Sequence, residues 1–180
     1  MHTPVRVAIQ GDRASFHEIA AHQYYKTPIT LLYCHTFQDV FDALNDGRVD
    51  KAFVATRNSG HGDIKEVHQL IAATKPTVEG EHPLPIQQHL LGLPGARAGS
   101  IHTIISHPVA LSQCSRYVSN RHTQEYHDTS AAAAFVKTSN NPTFAAIGSE
   151  QAAKLHGLDI LEASIQNDQK NITIFQSLVL

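Results

Sequence analysis

The sequence has little of what marks secreted and membrane proteins. Its 180 residues include only 2 cysteines, Cys34 and Cys114, which could form one pair but are too few for a disulfide framework. No stretch approaches ~18 consecutive apolar residues, and the N-terminal segment MHTPVRVAIQGD lacks the long apolar core of an export signal. We therefore expect a soluble, cytoplasmic protein that neither crosses nor binds a membrane.

The chain also has few charges and no excess of positive ones. Charged residues make up 17% of the sequence, the formal net charge is −2, and no run of like charge occurs. A protein that binds nucleic acid needs a basic patch for the phosphates, so no nucleic-acid partner is predicted. Neither a Walker sequence nor a GxGxxG sequence is present, so a nucleotide ligand is not indicated.

The 13 histidines raise the question of a metal site. Their spacing does not support one, because the sequence has no HExxH, no Cys-x-x-Cys and no histidine pair four residues apart on a convincing helix. We interpret the histidines as solvent-exposed surface residues and predict no metal site.

Short apolar segments alternate with helix-like segments along the chain. VRVAI, ITLLY, KAFVA, IHTII and FAAIG are predicted strands, each followed by turn residues and a helical pattern. In FQDVFDALNDG, an apolar side chain recurs at helical spacing at Phe37, Val40, Phe41 and Leu44, and Gly47 is a natural helix stop. This β-α repetition predicts an α/β fold with mostly parallel sheets covered by helices.

Residues 76–100 interrupt the repetition. Pro76, Pro83 and Pro85 exclude a helix across this segment, IQQHLL is typical of a crossing strand, and GLPGARAGS is typical of a flexible loop. We interpret the segment as a crossover between two lobes. Lobe 1 is predicted to contain residues 1–78 and 167–180, and lobe 2 residues 79–166.

Small hydroxyl or amide residues follow the predicted strands where helices should begin, among them Thr36, Ser106 and Ser149. Such residues cap the free N–H groups of a first helical turn, and that role alone explains each of them singly. In open α/β sheets, however, ligands bind beyond the carboxyl ends of the strands, where helix N-termini attract anions. We therefore predict a small carboxylate ligand in a cleft between the lobes.

The residues of five segments resemble the prephenate dehydratase family. ISHPVALSQC (105–114) is similar to its Ser-His-Pro block, and FQDVFDALNDGRVDKAFVATRNS (37–59) to its segment ending in Glu-Asn-Ser. GDRASFHEIAA (11–21) and VEGEHPLPIQQHLL (78–91) match its N-terminal and Leu-Pro-Ile blocks. Residues 145–175 resemble its closing block, which ends in Asn-x-Thr-Arg-Phe. The matches follow the family order and cover nearly the whole chain.

The resemblance implies two α/β lobes in a type 2 periplasmic-binding-protein arrangement, with the active site in the cleft between them. It implies that prephenate loses carbon dioxide and its ring hydroxyl to give phenylpyruvate, without a metal or an organic cofactor. Family members commonly form dimers, so a homodimer is expected. They also commonly carry an ACT-type regulatory domain after the catalytic domain. That domain would begin where this chain ends, so we expect either part of a longer protein or a naturally unregulated one.

The resemblance also implies roles for individual residues. Thr173 matches the family's essential threonine, which donates to the departing hydroxyl, although a β-branched residue also suits a strand without any further role. His107 is expected to shape the turn before a helix. Substrate contacts are implied for six residues that could instead be helix caps, loop residues or part of a solvated helix face: Asn58, Ser59, Ser106, Gln113, Thr129 and Ser130.

Two positions depart from the family pattern inside its motifs. Ile174 stands where the family has the arginine that follows the threonine, and Arg57 stands where it has the glutamate of Glu-Asn-Ser. One explanation is the loss of a coupled charge pair, after which Arg57 itself binds a carboxylate of the substrate. The other is a change of function toward relatives that decarboxylate prephenate without aromatising it. Retention of Thr173 argues for dehydration.

The predicted function is therefore that of a prephenate dehydratase, a carbon–oxygen lyase of L-phenylalanine biosynthesis. Two alternatives stay open. One is a divergent enzyme that gives a non-aromatised decarboxylation product, and the other is a catalytically silent module that binds a small carboxylate. Turnover of prephenate would separate both enzymes from the module, and the identity of the product would separate the enzymes from each other.

Overall fold

The computed structural model describes residues 3–180, which alternate between strands and helices and confirm the α/β class. The strands are β1 (Val5–Gln10), β2 (Ile29–Cys34), β3 (Lys51–Asn58), β4 (Gly62–Asp63), β5 (Thr77–Pro85), β6 (His89–Gly92), β7 (Thr103–Ser106), β8 (His122–Glu125), β9 (Phe144–Gly148), β10 (Asp159–Glu162) and β11 (Ile172–Val179). The helices are α1 (Phe16–Tyr24), α2 (Phe37–Asn45), α3 (Lys65–Thr74), α4 (Pro108–Gln113), α5 (Ser115–Val118), α6 (Thr129–Ser139) and α7 (Glu150–His156). Within residues 3–180, no helix has the length and apolar character needed to span a membrane.

The chain divides into two compact units, each built from segments that are distant in sequence. Of the described residues, unit 1 contains 3–12, 16–86 and 172–180, and unit 2 contains 13–15 and 87–171. The boundaries between the units, after residues 86 and 171, differ from the expected lobe boundaries after residues 78 and 166. Residues 79–86 belong to unit 1 because β5 pairs along its whole length with β11.

The unit 1 sheet has the strand order β2-β1-β3-β11-β5, with β4 attached to β3. β1 pairs in parallel with β2 and β3, whereas β11 pairs antiparallel with both β3 and β5. The sheet is therefore mixed, and the expectation of mostly parallel sheets holds only for its β-α-β part. β5 is an edge strand, which explains how it accommodates Pro83 and Pro85.

Side chains on both faces of the unit 1 sheet are buried. Val7, Ile9 and Phe53 lie in the apolar cluster that includes α1, whereas Ala8 and Val54 lie in the cluster on α2. This arrangement explains why VRVAI and KAFVA are apolar at nearly every position rather than alternating with polar residues.

The unit 2 sheet has the strand order β10-β6-β9-β7-β8. β7 pairs in parallel with β8 and β9, and β6 pairs antiparallel with β9 and β10, so this sheet is also mixed. Residues of α6 and α7 contribute to one of its apolar clusters and residues of α4 to the other. The segment 13–15 joins this unit through the Ser149 hydroxyl, which donates to the Ala14 carbonyl at 3.0 Å. Cys34 and Cys114 are both unpaired and buried.

Two of the expected helix caps are confirmed. Thr36 caps α2 in a reciprocal arrangement with Asp39, and Ser149 caps α7 by accepting from the Ala152 N–H at 3.0 Å. α2 ends at Asn45, and Gly47 follows with φ of +68°, a conformation that glycine adopts without strain. The sequence pattern therefore gave the correct start and end of α2.

Candidate active site

Thr173 lies in the interior of the unit 1 sheet, near the start of β11. It pairs with Asn58 of β3 on one side and with Leu84 of β5 on the other, and only 8% of its surface is exposed. Two residues further along the same face of β11, Phe175 is fully buried. A threonine hydroxyl at such a position requires hydrogen-bond partners because burial removes it from bulk water.

Asn58 supplies the partner for this hydroxyl. Its Nδ2 donates to Thr173 Oγ1 at 2.9 Å, while its Oδ1 accepts from the backbone N–H groups of Gly60 at 2.9 Å and His61 at 3.2 Å. Because a backbone N–H only donates, Oδ1 must be the atom on that side, which settles the orientation of the amide. Asn58 is 6% exposed, so this network is nearly closed to water.

Ser59 fixes the adjoining backbone of β11. Its N–H donates to the Ile172 carbonyl at 2.8 Å, and its Oγ accepts from the Ile172 N–H at 2.9 Å. Asn58 and Ser59 were expected to contact the substrate, with a capped loop as the alternative. β3 extends through Asn58, and α3 begins after Ile64 without a side-chain cap. Their side chains instead attach the end of β3 to the start of β11.

A β-bulge brings Asn58 to the same side as Thr173. Ile174 pairs with Arg57 whereas Phe175 pairs with Ala55, which leaves Thr56 as an extra residue in β3. The Thr56 hydroxyl donates to the Ile174 carbonyl at 3.3 Å. An extra residue in one strand reverses the facing of the residues beyond it, and bulges commonly redirect side chains in this way beside active sites.

His17 supports this part of the sheet and was not identified from the sequence. Its ring packs edge-on against Phe175, with centroids 5.0 Å apart, and its Nε2 accepts from the Ala55 N–H at 3.1 Å. Burial lowers the pKa of His17 to about 3, so the ring is neutral near pH 7. Nothing in the local pattern of FHEIAA distinguishes this histidine from the exposed ones.

The two departures from the family pattern lie side by side. Arg57 and Ile174 are direct cross-strand partners, on the sheet face opposite to Asn58 and Thr173 because neighbouring residues of a strand alternate. The Arg57 side chain is 69% exposed, and its Nε lies 3.9 Å from Oδ1 of Asp63, a weak surface ion pair. Its guanidinium is therefore held loosely.

In unit 2, Ser106 and His107 lie between β7 and α4. Ser106 is fully buried, and its hydroxyl donates to the Ile147 carbonyl at 2.7 Å. The alternative reading of Ser106 as a helix cap is wrong, because His107 caps α4 by accepting from the Val109 N–H at 3.2 Å on Nδ1. Burial lowers the pKa of His107, which favours this neutral acceptor form.

Gln113 lies at the end of α4 and belongs to a group of amide side chains. Its Oε1 accepts from Nε2 of Gln88 at 3.1 Å, and its backbone carbonyl accepts from the Asn167 N–H at 2.7 Å. Gln113 is thus partly buried, and its side chain is bonded within the protein rather than solvated alone. Gln88, which is 2% exposed, was not identified from the sequence, and its Oε1 has no hydrogen-bond partner within residues 3–180. The Gln88 backbone N–H donates to Oε1 of Gln166 at 3.0 Å.

Thr129 and Ser130 do not cap α6. Asp128 is the cap, and its Oδ1 accepts from the N–H groups of Ser130 at 2.8 Å and Ala131 at 3.0 Å. The Ser130 hydroxyl donates to the Arg13 carbonyl and is almost fully buried. Thr129 is partly exposed, and its hydroxyl makes no hydrogen bond with residues 3–180. Of the two hydroxyls, that of Thr129 is the one left accessible to a ligand.

The helix N-termini offer fewer anion-binding N–H groups than the sequence suggested. Thr36 accepts from the first turn of α2, Asp128 from that of α6 and Ser149 from that of α7. Each capped N–H is then engaged within the protein rather than open to a carboxylate. Among the described residues, no group of three or more His, Cys, Asp or Glu side chains is placed to hold a metal ion.

Comparison with curated proteins gives relatives that extend along nearly the whole chain. Arogenate dehydratase/prephenate dehydratase 6, chloroplastic, of Arabidopsis thaliana is 35% identical over 175 residues, which cover 95% of this chain and 42% of that protein. The bifunctional chorismate mutase/prephenate dehydratase of Escherichia coli K12 is 34% identical over 177 residues, which cover 94% of this chain and 46% of that protein. The chain thus spans less than half the length of these curated relatives.

Solved structures with the same fold include enzymes and binding proteins. Prephenate dehydratase from Arthrobacter aurescens, in complex with L-Phe, has a TM-score of 0.87 at 25% identity over 97% of this chain and 60% of that one. GqqA, described as a novel type of quorum quenching acylase, has a TM-score of 0.82 at 30% identity over 97% and 63%. An ABC transporter periplasmic substrate-binding protein from Coxiella burnetii, 13% identical over 97% and 84% with a TM-score of 0.53, shares the fold alone.

A family model described as prephenate dehydratase matches residues 7–179. The matched region contains all of unit 2, nearly all of unit 1 and every site residue named above. The chain therefore belongs to the prephenate dehydratase family.

Proposed function

We propose that this chain is the catalytic domain of a prephenate dehydratase that forms phenylpyruvate in L-phenylalanine biosynthesis. The observation that supports this most strongly is the buried Thr173 hydroxyl, which accepts from Asn58 and keeps its own hydrogen for a ligand. A cytoplasmic location, a homodimer and an adjoining ACT-type regulatory domain belong to the same proposal. Relatives named as chloroplastic show that location varies within the family.

The proposed reaction needs little from the protein beyond positioning and one hydrogen-bond donor. The bond between the ring and its carboxylate breaks, its electron pair enters the ring, and the hydroxyl on the opposite ring carbon leaves. One proton converts the departing hydroxide into water, so prephenate and one proton give phenylpyruvate, carbon dioxide and water. Aromatisation drives the reaction, and no metal or cofactor is assigned a role.

Thr173 is the proposed catalytic residue. Its hydroxyl would donate to the departing oxygen, where negative charge develops in the transition state. Burial strengthens such a hydrogen bond because water does not compete for either partner. The electrostatic benefit grows as the carbon–oxygen bond breaks, so this contact lowers the barrier more than it tightens binding of the substrate.

The proposed substrate-binding residues differ in which polar groups remain available to bind a substrate. Thr129 keeps an accessible hydroxyl, and Arg57 has an exposed guanidinium suited to a carboxylate. The hydroxyl hydrogens of Ser106 and Ser130 already bind backbone carbonyls, so these residues can only accept from a ligand or shape its surroundings. Gln113 keeps its amide N–H₂ for a substrate oxygen, since only its Oε1 is engaged by Gln88.

The test is turnover by the purified chain with prephenate at neutral pH, with products identified by mass and ultraviolet spectrum against a no-enzyme control. Phenylpyruvate above background is the expected result. Thr173→Val, which removes the hydroxyl and keeps the shape, should lower kcat by roughly 10²-fold or more. Thr173→Ser is the matched control, since it keeps the hydroxyl and should retain measurable turnover.

Other assay outcomes would support the alternative functions. A decarboxylated product that keeps its hydroxyl would identify the divergent enzyme, and no turnover would favour the carboxylate-binding module. Arogenate, which carries an amino group in place of the keto group of prephenate, should be assayed in parallel because the Arabidopsis relative is named for it as well. Faster turnover of arogenate, giving phenylalanine, would change the proposed substrate while keeping the proposed chemistry.

A further inference from the structure

We infer that Asn58 is a positioning residue that fixes the direction of the Thr173 hydroxyl hydrogen, rather than a residue that touches the substrate. This inference rests on the proposed function, because it concerns how Thr173 performs it. It depends on four hydrogen-bonded groups of unit 1 whose donor and acceptor roles are all determined by chemistry: the Gly60 N–H, the His61 N–H, the Asn58 amide and the Thr173 hydroxyl.

The Asn58 amide can present only a donor to Thr173. Both backbone N–H groups of the following turn point at Oδ1, so Nδ2 must be the atom 2.9 Å from Thr173 Oγ1. An amide N–H₂ group has no lone pair to accept a hydrogen bond. Thr173 Oγ1 is consequently the acceptor, and its own hydrogen is directed away from Asn58.

A hydroxyl without such a neighbour turns its hydrogen toward whichever acceptor is nearest. Peptide carbonyls border Thr173 on both sides of β11, and a hydrogen given to one of them could not serve the departing oxygen. Within residues 3–180, the Thr173 hydroxyl makes no hydrogen bond other than the one from Asn58. The structure thus keeps the hydrogen available.

All the donors in this network point the same way. The two N–H groups polarise the Asn58 carbonyl, the amide becomes a stronger donor to Thr173, and Oγ1 in turn becomes a stronger donor through its own hydrogen. The network is buried, the Thr56 bulge sets the facing of Asn58, and two hydrogen bonds between Ser59 and Ile172 hold the strand ends together. Little reorganisation is then needed when charge develops on the departing oxygen.

Asn58→Asp tests the inference because it replaces the donor Nδ2, which also donates to the Ile172 carbonyl at 3.4 Å, by an acceptor at nearly constant shape. One carboxylate oxygen still accepts from Gly60 and His61, so the turn is preserved. The other oxygen faces Thr173 and would draw its hydrogen toward itself. We expect kcat to fall roughly 10²-fold at pH ~7.5, with a much smaller change in KM.

Lowering the pH should reverse the defect. Protonation of the introduced carboxyl places a hydrogen on the oxygen that faces Thr173, since the other oxygen is occupied by two N–H donors, and this restores donation to Oγ1. The kcat of Asn58→Asp relative to wild type should therefore rise severalfold as the pH falls through the pKa of the introduced carboxyl, which its ¹³C chemical shift measures, with each rate corrected for the uncatalysed reaction at that pH. A purely structural role for Asn58 gives no such recovery.

Thr56→Val is the matched control at the same bulge. It removes a hydroxyl that donates to the Ile174 carbonyl but leaves the Asn58 and Thr173 contact intact. Its kcat should follow the wild-type pH profile. Wild-type kcat for Asn58→Asp at pH ~7.5, or a loss that persists unchanged once the introduced carboxyl is protonated, would overturn the positioning role alone. If the wild-type chain turns over neither prephenate nor arogenate, the proposed function fails and the positioning role with it.

Discussion

Burial keeps one histidine of this histidine-rich chain neutral at ordinary pH. His17 lies between the rings of Phe37 and Phe175 and uses Nε2 as an acceptor for the Ala55 N–H. Protonation would replace that acceptor by a second donor and place a charge in an apolar site. The pKa of His17 is accordingly lowered from 6.5 to about 3.

This shift predicts acid sensitivity. Between pH 6.5 and about 3 the unfolded chain binds a proton at His17 that the folded chain does not, so stability falls as the pH falls through this range. The slope contributed by one such group is up to about 1.4 kcal/mol per pH unit. Urea unfolding at a series of pH values should show a smaller slope for His17→Gln, whose amide oxygen can still accept from Ala55. Equal slopes would show that His17 is protonated in the folded protein.

Arg57 offers a second prediction at the residue scale. If its exposed guanidinium binds a carboxylate of the substrate, Arg57→Glu should raise KM about fivefold or more with little change in kcat, as loss of roughly 1 kcal/mol at an exposed site implies. Arg57→Met should have an intermediate effect, because it removes attraction without adding repulsion. An unchanged KM in both variants would mean that the guanidinium, on the face opposite to Thr173, does not contact the substrate.

The contacts of several single residues could not be predicted from the sequence. The family resemblance drew attention to Thr173 and Asn58, but their contact joins residues 115 positions apart and no local pattern encodes it. Gln88 and His17 have no distinguishing neighbours in the sequence at all. Their environments arise only when strands that are remote in the chain become adjacent.

At the scale of elements, substitution of the cap of α2 tests how much one helix cap contributes to stability. The Thr36 hydroxyl accepts from the Asp39 N–H at 3.1 Å, and the Asp39 carboxylate accepts from the Thr36 N–H at 3.0 Å. Thr36→Ala should lower the free energy of unfolding by about 1 kcal/mol, and Thr36→Ser, which retains the capping oxygen, should lower it by less. Equal losses in urea denaturation would attribute the effect to the threonine methyl group instead of the cap.

Element types were easier to predict than the ends and directions of elements. Apolar periodicity located β1, β3 and α2 because each buries side chains in a regular pattern. The cap of α6 was misplaced because Asp128, Thr129 and Ser130 are all good capping residues, and only the structure shows which oxygen reaches the first turn. The antiparallel pairing of β11 was missed because a strand's direction in a sheet is a property of its partners, not of its sequence.

At the scale of the whole molecule, the last strand of the chain occupies the interior of a sheet. β11 lies between β3 and β5, and three of its side chains, those of Phe175, Ser177 and Leu178, are almost fully buried. Unit 1 therefore acquires its complete sheet only when residues at both ends of the described chain are in place. The proposed catalytic threonine belongs to this strand, so its position depends on the pairing of β11 with both β3 and β5.

This arrangement predicts a pattern of hydrogen exchange. The amides of residues 173–178 bond to neighbouring strands on both sides and should exchange as slowly as those of β3. β5 is the internal comparison, because an edge strand leaves alternate N–H groups without a strand partner and should exchange faster overall. Peptide-resolved exchange at neutral pH measures both. Fast exchange in β11 would mean that the strand detaches readily, and Thr173 would then be held in place only for part of the time.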